Sequence, residues 1–104
     1  MKITDDVKEK INEIINTYYQ SKRIRYLARF QVSKGFLFLD RDDGAPKASQ
    51  ICRLKYNGKM DNWEFAIYKY SSNAYLPDEF FPGLEFVDGT IERAMKAGRL
   101  PSVG

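Results

Sequence analysis

Residues 62–70 read Asn-Trp-Glu-Phe-Ala-Ile-Tyr-Lys-Tyr, a run with large rings available to both sides of an extended chain. Few loops or helices tolerate that pattern, because β-branched and aromatic residues at period two suit a pleated surface. A similar run, Ile51-Cys52-Arg53-Leu54-Lys55-Tyr56, precedes it across a turn containing Asn57-Gly58. Two such runs around Asn-Gly predict an antiparallel hairpin inside a larger sheet.

The rest of the chain supplies partners for that hairpin. Thr4 is placed to cap a helix over about 5–22, with Asp5, Asp6 and Glu9 in its first turns and Lys22-Arg23 at its cationic end. Val7, Ile11, Ile14, Ile15 and Tyr18 recur at helical spacing and form the apolar side. From Ile24 the period changes to two. Ile24, Tyr26, Ala28 and Phe30 share one side of a strand over about 24–32, and Arg25, Leu27 and Arg29 share the other. After the Ser33-Lys34-Gly35 turn, a second strand over 35–40 contains Phe36-Leu37-Phe38-Leu39, which is apolar at both parities and predicts a central or covered position. The third and fourth strands are expected at 50–56 and 62–71.

Residues 72–88 read as irregular, punctuated by Pro77, Pro82 and Gly83 yet rich in apolar groups, so the segment is expected to pack on the domain. Asp88 reads as the cap of a last helix over 89–97, with Gly98 and Pro101 as its stop. Together these elements predict one α+β domain over residues 1–104: a two-layer fold with a four-stranded antiparallel meander and both helices on one face.

Composition narrows the chemistry. The chain has no histidine and one cysteine, Cys52. Triads that use imidazole, His-ligated zinc and thiolate zinc sites within one chain are therefore excluded. Cys52 falls in a strand pattern, where a buried structural thiol is the usual occupant. Asp40-Arg41-Asp42-Asp43-Gly44 invites comparison with a calcium loop, but the glycine falls at position five, and Ile51 stands where a bidentate glutamate is required. The acidic tract Asp78, Glu79, Glu85, Asp88 and Glu92 is too irregularly spaced for a metal site, and Asp78-Glu79 reads as an exposed turn after Pro77. No cofactor or metal is called for. The longest apolar run, Phe36–Leu39, is far short of the roughly 20 residues that span a bilayer. With no apolar leader-like stretch near Met1, a cytoplasmic location without membrane association is the expectation.

Net charge is +3, distributed unevenly: residues 20–70 carry +6 and residues 71–92 carry −5. If Cys52, Leu54, Tyr56, Trp63, Phe65 and Ile67 face the helices, the opposite side of the sheet carries Arg25, Arg29, Arg53, Lys55, Tyr68 and Tyr70. Guanidinium groups beside tyrosine rings are what single-stranded nucleic acid requires, so this set is the candidate nucleic-acid or partner face. It is equally what a solvated or partner-covered sheet face carries, and the chain lacks a ribonucleoprotein signature. Tyr18, Tyr19, Tyr75, Phe80, Phe81 and Phe86 add aromatic surface beyond what the sheet core needs, which favours an apolar patch closed by a second copy.

The pattern Leu54-x-Tyr56, Trp63-x-Phe65 and Tyr75-x-Pro77 resembles small bacterial domains of unknown function built around a Tyr…Trp…Tyr-x-Pro strand pair. The resemblance implies an α+β fold and a prokaryotic source, and carries no activity. The favoured functional expectation is a non-catalytic interaction domain that self-associates. The alternative is a nucleic-acid-binding module using the basic and aromatic sheet face. An enzyme built on carboxylates, or on Tyr68 with Lys69, is the third reading; adjacent strand residues point to opposite faces, which counts against that pair.

Overall fold

A computed structural model describes residues 1–44, 46–77 and 79–98. The elements in chain order are α1 (Asp5–Lys22), β1 (Arg25–Gln31), β2 (Phe36–Asp42), β3 (Ser49–Lys55), β4 (Glu64–Lys69), β5 (Ala74–Leu76) and α2 (Ile91–Ala97), with short 3₁₀ turns at Val32–Lys34 and Leu84–Phe86. The fold is α+β. Its antiparallel sheet has five strands in the order β1-β2-β3-β4-β5, one more than the sequence pattern predicts. The fifth is only three residues long, too short to display a period, and lies in the stretch read as irregular. It pairs Tyr75 with Tyr68 across a turn in which Asn73 adopts φ 51°.

Local chemistry accounts for the helices. Thr4 Oγ1 accepts from the Val7 amide at 3.3 Å, and Asp5 and Asp6 sit at the positive pole of α1. At its other end Arg23 takes the left-handed conformation and donates its N–H to Tyr19 O. α2 begins at Ile91, and its cap is Thr90 rather than Asp88. The Asp88 carboxylate instead accepts from both the amide and the hydroxyl of Thr90, which holds its pKa below the usual carboxylate value. Thr90 Oγ1 is thereby aimed at the Arg93 amide, 3.3 Å away. The far end of α2 is closed by the sheet: the Tyr26 hydroxyl donates to Met95 O at 2.6 Å, and Arg41 Nη1 donates to Gly98 O at 2.7 Å. Asp78 and Pro101, read above as a turn and a helix stop, lie outside the described residues.

Both helices contribute to one core. Val7 and Ile11 from α1 and Ile91, Ala94 and Met95 from α2 pack with Tyr26, Leu37, Leu39, Ile51, Cys52 and Leu54 from the sheet. The register makes this possible, since Phe30, Leu37, Leu54 and Phe65 lie in one row and Ala28, Leu39, Cys52 and Ile67 in the next. Between Leu39 and Asp40 the β2–β3 pairing slips by one residue, from Leu39 opposite Cys52 to Asp40 opposite Gln50. Ile51 is the extra residue of a β-bulge, and both it and Cys52 are buried in the core. Among the described residues, no helix is long and apolar enough to cross a membrane.

Candidate interaction surface on the open face of the sheet

With helix-facing residues accounted for, alternation sends their neighbours to the opposite side. Arg29, Phe38, Arg53 and Ala66 stand in one row across β1 to β4, and Gln31, Phe36, Lys55 and Glu64 in the adjacent row. Tyr68 and Tyr75 pair on the same side of β4 and β5.

Tyr75 organises this face. Its neighbouring strand carries the small Ala66, over which the ring reaches toward the sheet centre. There it lies 5.2 Å from the Phe38 ring and 4.9 Å from Tyr68, with the Arg53 guanidinium 5.8 Å away. The Tyr75 hydroxyl accepts from Arg29 Nη2 and from Gln50 Nε2, each at 3.2 Å. Arg29 in turn forks onto Asp40, with Nε 2.6 Å from Oδ2 and Nη2 3.0 Å from Oδ1, and stacks at 4.9 Å over Phe38. This bidentate pairing raises the guanidinium pKa further above its usual value. Asp40 is only 8% exposed, so its carboxylate is committed to that contact.

The six residues drawn from the sequence have different surroundings. Arg53 lies 4.6 Å over the Phe36 ring and makes no ion pair among the described residues. Lys55 is exposed opposite Glu64. Tyr70 is exposed, its hydroxyl donating to Gln50 O at 3.0 Å and its ring 4.8 Å from Tyr68. Tyr68 is only 5% exposed, covered by Tyr70 and Tyr75, and its hydroxyl donates to Asn73 Oδ1. Arg25, at the edge of the sheet, stacks at 4.3 Å on Tyr19 of α1 and stands apart from the central cluster. Arg29 is engaged by Asp40 as described. Phe36, Phe38, Asp40, Gln50 and Tyr75 complete the face, to which the sequence pattern did not assign them. The period-two placement of Phe36 and Phe38 was the signal available for two of them.

The face balances its charges. Arg25 stands opposite Asp42, Arg29 is bound to Asp40, and Lys55 stands opposite Glu64. Among the described residues, Arg53, whose row neighbours are Phe38 and Ala66, is the cation of this face without a facing carboxylate. Beside it a hollow of about 470 Å³ is floored by Ala66, walled by Phe36 and Pro77, and edged by Lys55 and Glu64. In the core, burial pushes the Cys52 thiol pKa well above the ordinary range, which keeps it protonated and unreactive. Among the described residues, no group of three or more Cys, Asp or Glu side chains is arranged to hold a metal ion.

Comparison with protein families, with curated proteins and with solved structures returns no match to this chain.

Proposed function

We propose that this chain is a protein-interaction domain without catalytic chemistry of its own, and that the open face of its sheet receives a protein partner. The observation that carries this reading is the Arg53 guanidinium held between Phe36 and Tyr75 beside an apolar hollow. Arginine and aromatic side chains ordered in advance dominate protein interfaces because little rotamer entropy remains to be lost on binding. Charge weighs against the nucleic-acid alternative. Among the described residues, three of the four cations on the face have a carboxylate beside or opposite them, and a strand of phosphates would have to displace those carboxylates or bear their repulsion. The burial of Tyr68 also removes one ring from base stacking.

The test is a benzophenone photocrosslinker placed at Lys55, with a control at Glu9 on the exposed side of α1. Polypeptide adducts from position 55 and none from position 9 are expected. Nucleic-acid adducts at 55, or identical labelling at the two positions, would reject the reading.

A further inference from the structure

One segment of this chain has the chemistry that the open-face hollow lacks. Residues 71–92 carry five acidic and no basic groups, and within them Phe80 is 79% exposed and Leu84 40% exposed. Glu85 is exposed and makes no ion pair among the described residues. The segment is held firmly. Phe81 is buried and stacked on Phe65 at 5.6 Å, and the amides of Leu84, Phe86 and Val87 donate to Phe81 O, Gly83 O and Leu84 O within 3.1 Å. Gly83 lies so close to α2 that a Cβ there would come within 2.5 Å of Ala97 O. Phe80 is therefore held in solvent by a backbone fixed directly after it, an arrangement that favours burial against a partner.

The two surfaces adjoin. Pro77 walls the hollow beside Arg53, and three residues further along the chain Phe80 lines a second hollow of about 390 Å³ with Phe81, Pro82, Leu84 and Glu85. Adjacent complementary patches on one chain, cationic with an apolar floor and acidic with an exposed ring, meet each other twice when two copies are related by a two-fold axis. Resting on the reading of the open face as a protein-interaction surface, we infer that its occupant is a second copy of this chain. The Phe80–Glu85 segment of each copy enters the hollow of the other, the Phe80 ring against Phe36 and Pro77, and the Glu85 carboxylate against Arg53, which no carboxylate of its own chain faces among the described residues. The contact is isologous and closes at two copies.

The test is sedimentation equilibrium of the intact chain and of three variants, Arg53→Glu, Glu85→Arg and Phe80→Ala, each checked for an unchanged far-UV spectrum. Glu85 and Phe80 are exposed, so those two variants leave the fold unburdened. The wild-type chain is expected as a dimer, and each variant is expected to raise the dissociation constant about tenfold or more. An equimolar mixture of Arg53→Glu with Glu85→Arg should recover the dimer, because both contacts of the mixed pair again join opposite charges. A wild-type monomer at every concentration, a dimer indifferent to the substitutions, or a mixture that stays monomeric would each overturn the inference. A monomer whose position 55 crosslinks to a different protein would overturn only the second copy; a chain with position 55 silent would lose the interaction face as well.

Discussion

Replacing Tyr75 in two ways separates what its ring does from what its hydroxyl does. Tyr75→Phe removes the acceptor of two hydrogen bonds at 3.2 Å, both long and one of them exposed. Arg29 keeps its bidentate hold on Asp40 and Gln50 can turn to water, so the expected loss is about 0.5–1 kcal/mol. Tyr75→Ala also removes the ring from its contacts with Phe38 and Tyr68 and from the Arg53 guanidinium. Two aromatic pairs at about 0.5–1.5 kcal/mol each and a partly exposed cation–π contact at about 0.5–1 kcal/mol, added to the hydroxyl's share, place that loss at about 2–5 kcal/mol. Thermal unfolding followed by circular dichroism should show Tyr75→Phe melting a few degrees below the wild type and Tyr75→Ala about 10 °C or more below it. Equal losses would mean that the hydroxyl, not the ring, fastens β5 to the sheet. Two unchanged melting curves would mean that Tyr75 does not organise the open face at all.

Gly98→Ala should destabilise despite the αR backbone at this position, where alanine is ordinarily an improvement. An added Cβ would come within 2.6 Å of Ile51 Cγ2 and 2.7 Å of the Tyr26 hydroxyl, and overpacking less the backbone gain leaves a net cost of about 1–2 kcal/mol. Urea denaturation measures it, and an unchanged or raised midpoint would refute the close approach. Cys52 sets an alkaline limit: burial keeps the folded thiol protonated, whereas the unfolded thiol ionises near about pH 8.5. Above that pH the unfolded state binds fewer protons than the folded state, so this group's contribution falls by about 1.4 kcal/mol per pH unit until the folded thiol itself titrates. The stability difference between wild type and Cys52→Ala, measured by urea unfolding at pH 8, 9 and 10, should shift against the wild type with rising pH. A constant difference would mean that the thiol is already solvated in the fold.

Strong alternation made β1, β3 and β4 legible. Arg25, Leu27 and Arg29 leave one side of β1 while Tyr26, Ala28 and Phe30 enter the core, and the same contrast separates Arg53 and Lys55 from Cys52 and Leu54. β2 had no such contrast. With Phe and Leu at both parities, hydrophobicity could not choose which pair was buried, and only the long-range pairing of Phe38 with Arg53 shows that the leucines are inside. Asp40 closes the expected second strand and reads locally only as the first residue of a calcium-like loop. Its role as the buried partner of Arg29 is a contact between β1 and β2 that no local pattern contains. Tyr75 was hidden by the shortness of β5, and the α2 cap was misplaced because Asp88 and Thr90 are both good caps two residues apart. The stacking of Arg25 on Tyr19 joins a strand to a helix end, a relation that neither local pattern contains.

The bulge in β3 has a consequence for chain length. Deleting Ile51 would place Gln50 directly before Cys52, and simple alternation would still send Gln50 outward and Cys52 inward. Both sides of the sheet would survive the deletion, with Asp40 and Gln50 still opposite one another. What would be lost is the side chain that presses on Gly98 from below. Ile51 is thus an insertion that the sheet does not need and that the end of α2 uses. A related chain one residue shorter at this point loses one of the two atoms that crowd a Cβ at position 98, the Tyr26 hydroxyl being the other, so the requirement for glycine there should be relaxed but not lifted.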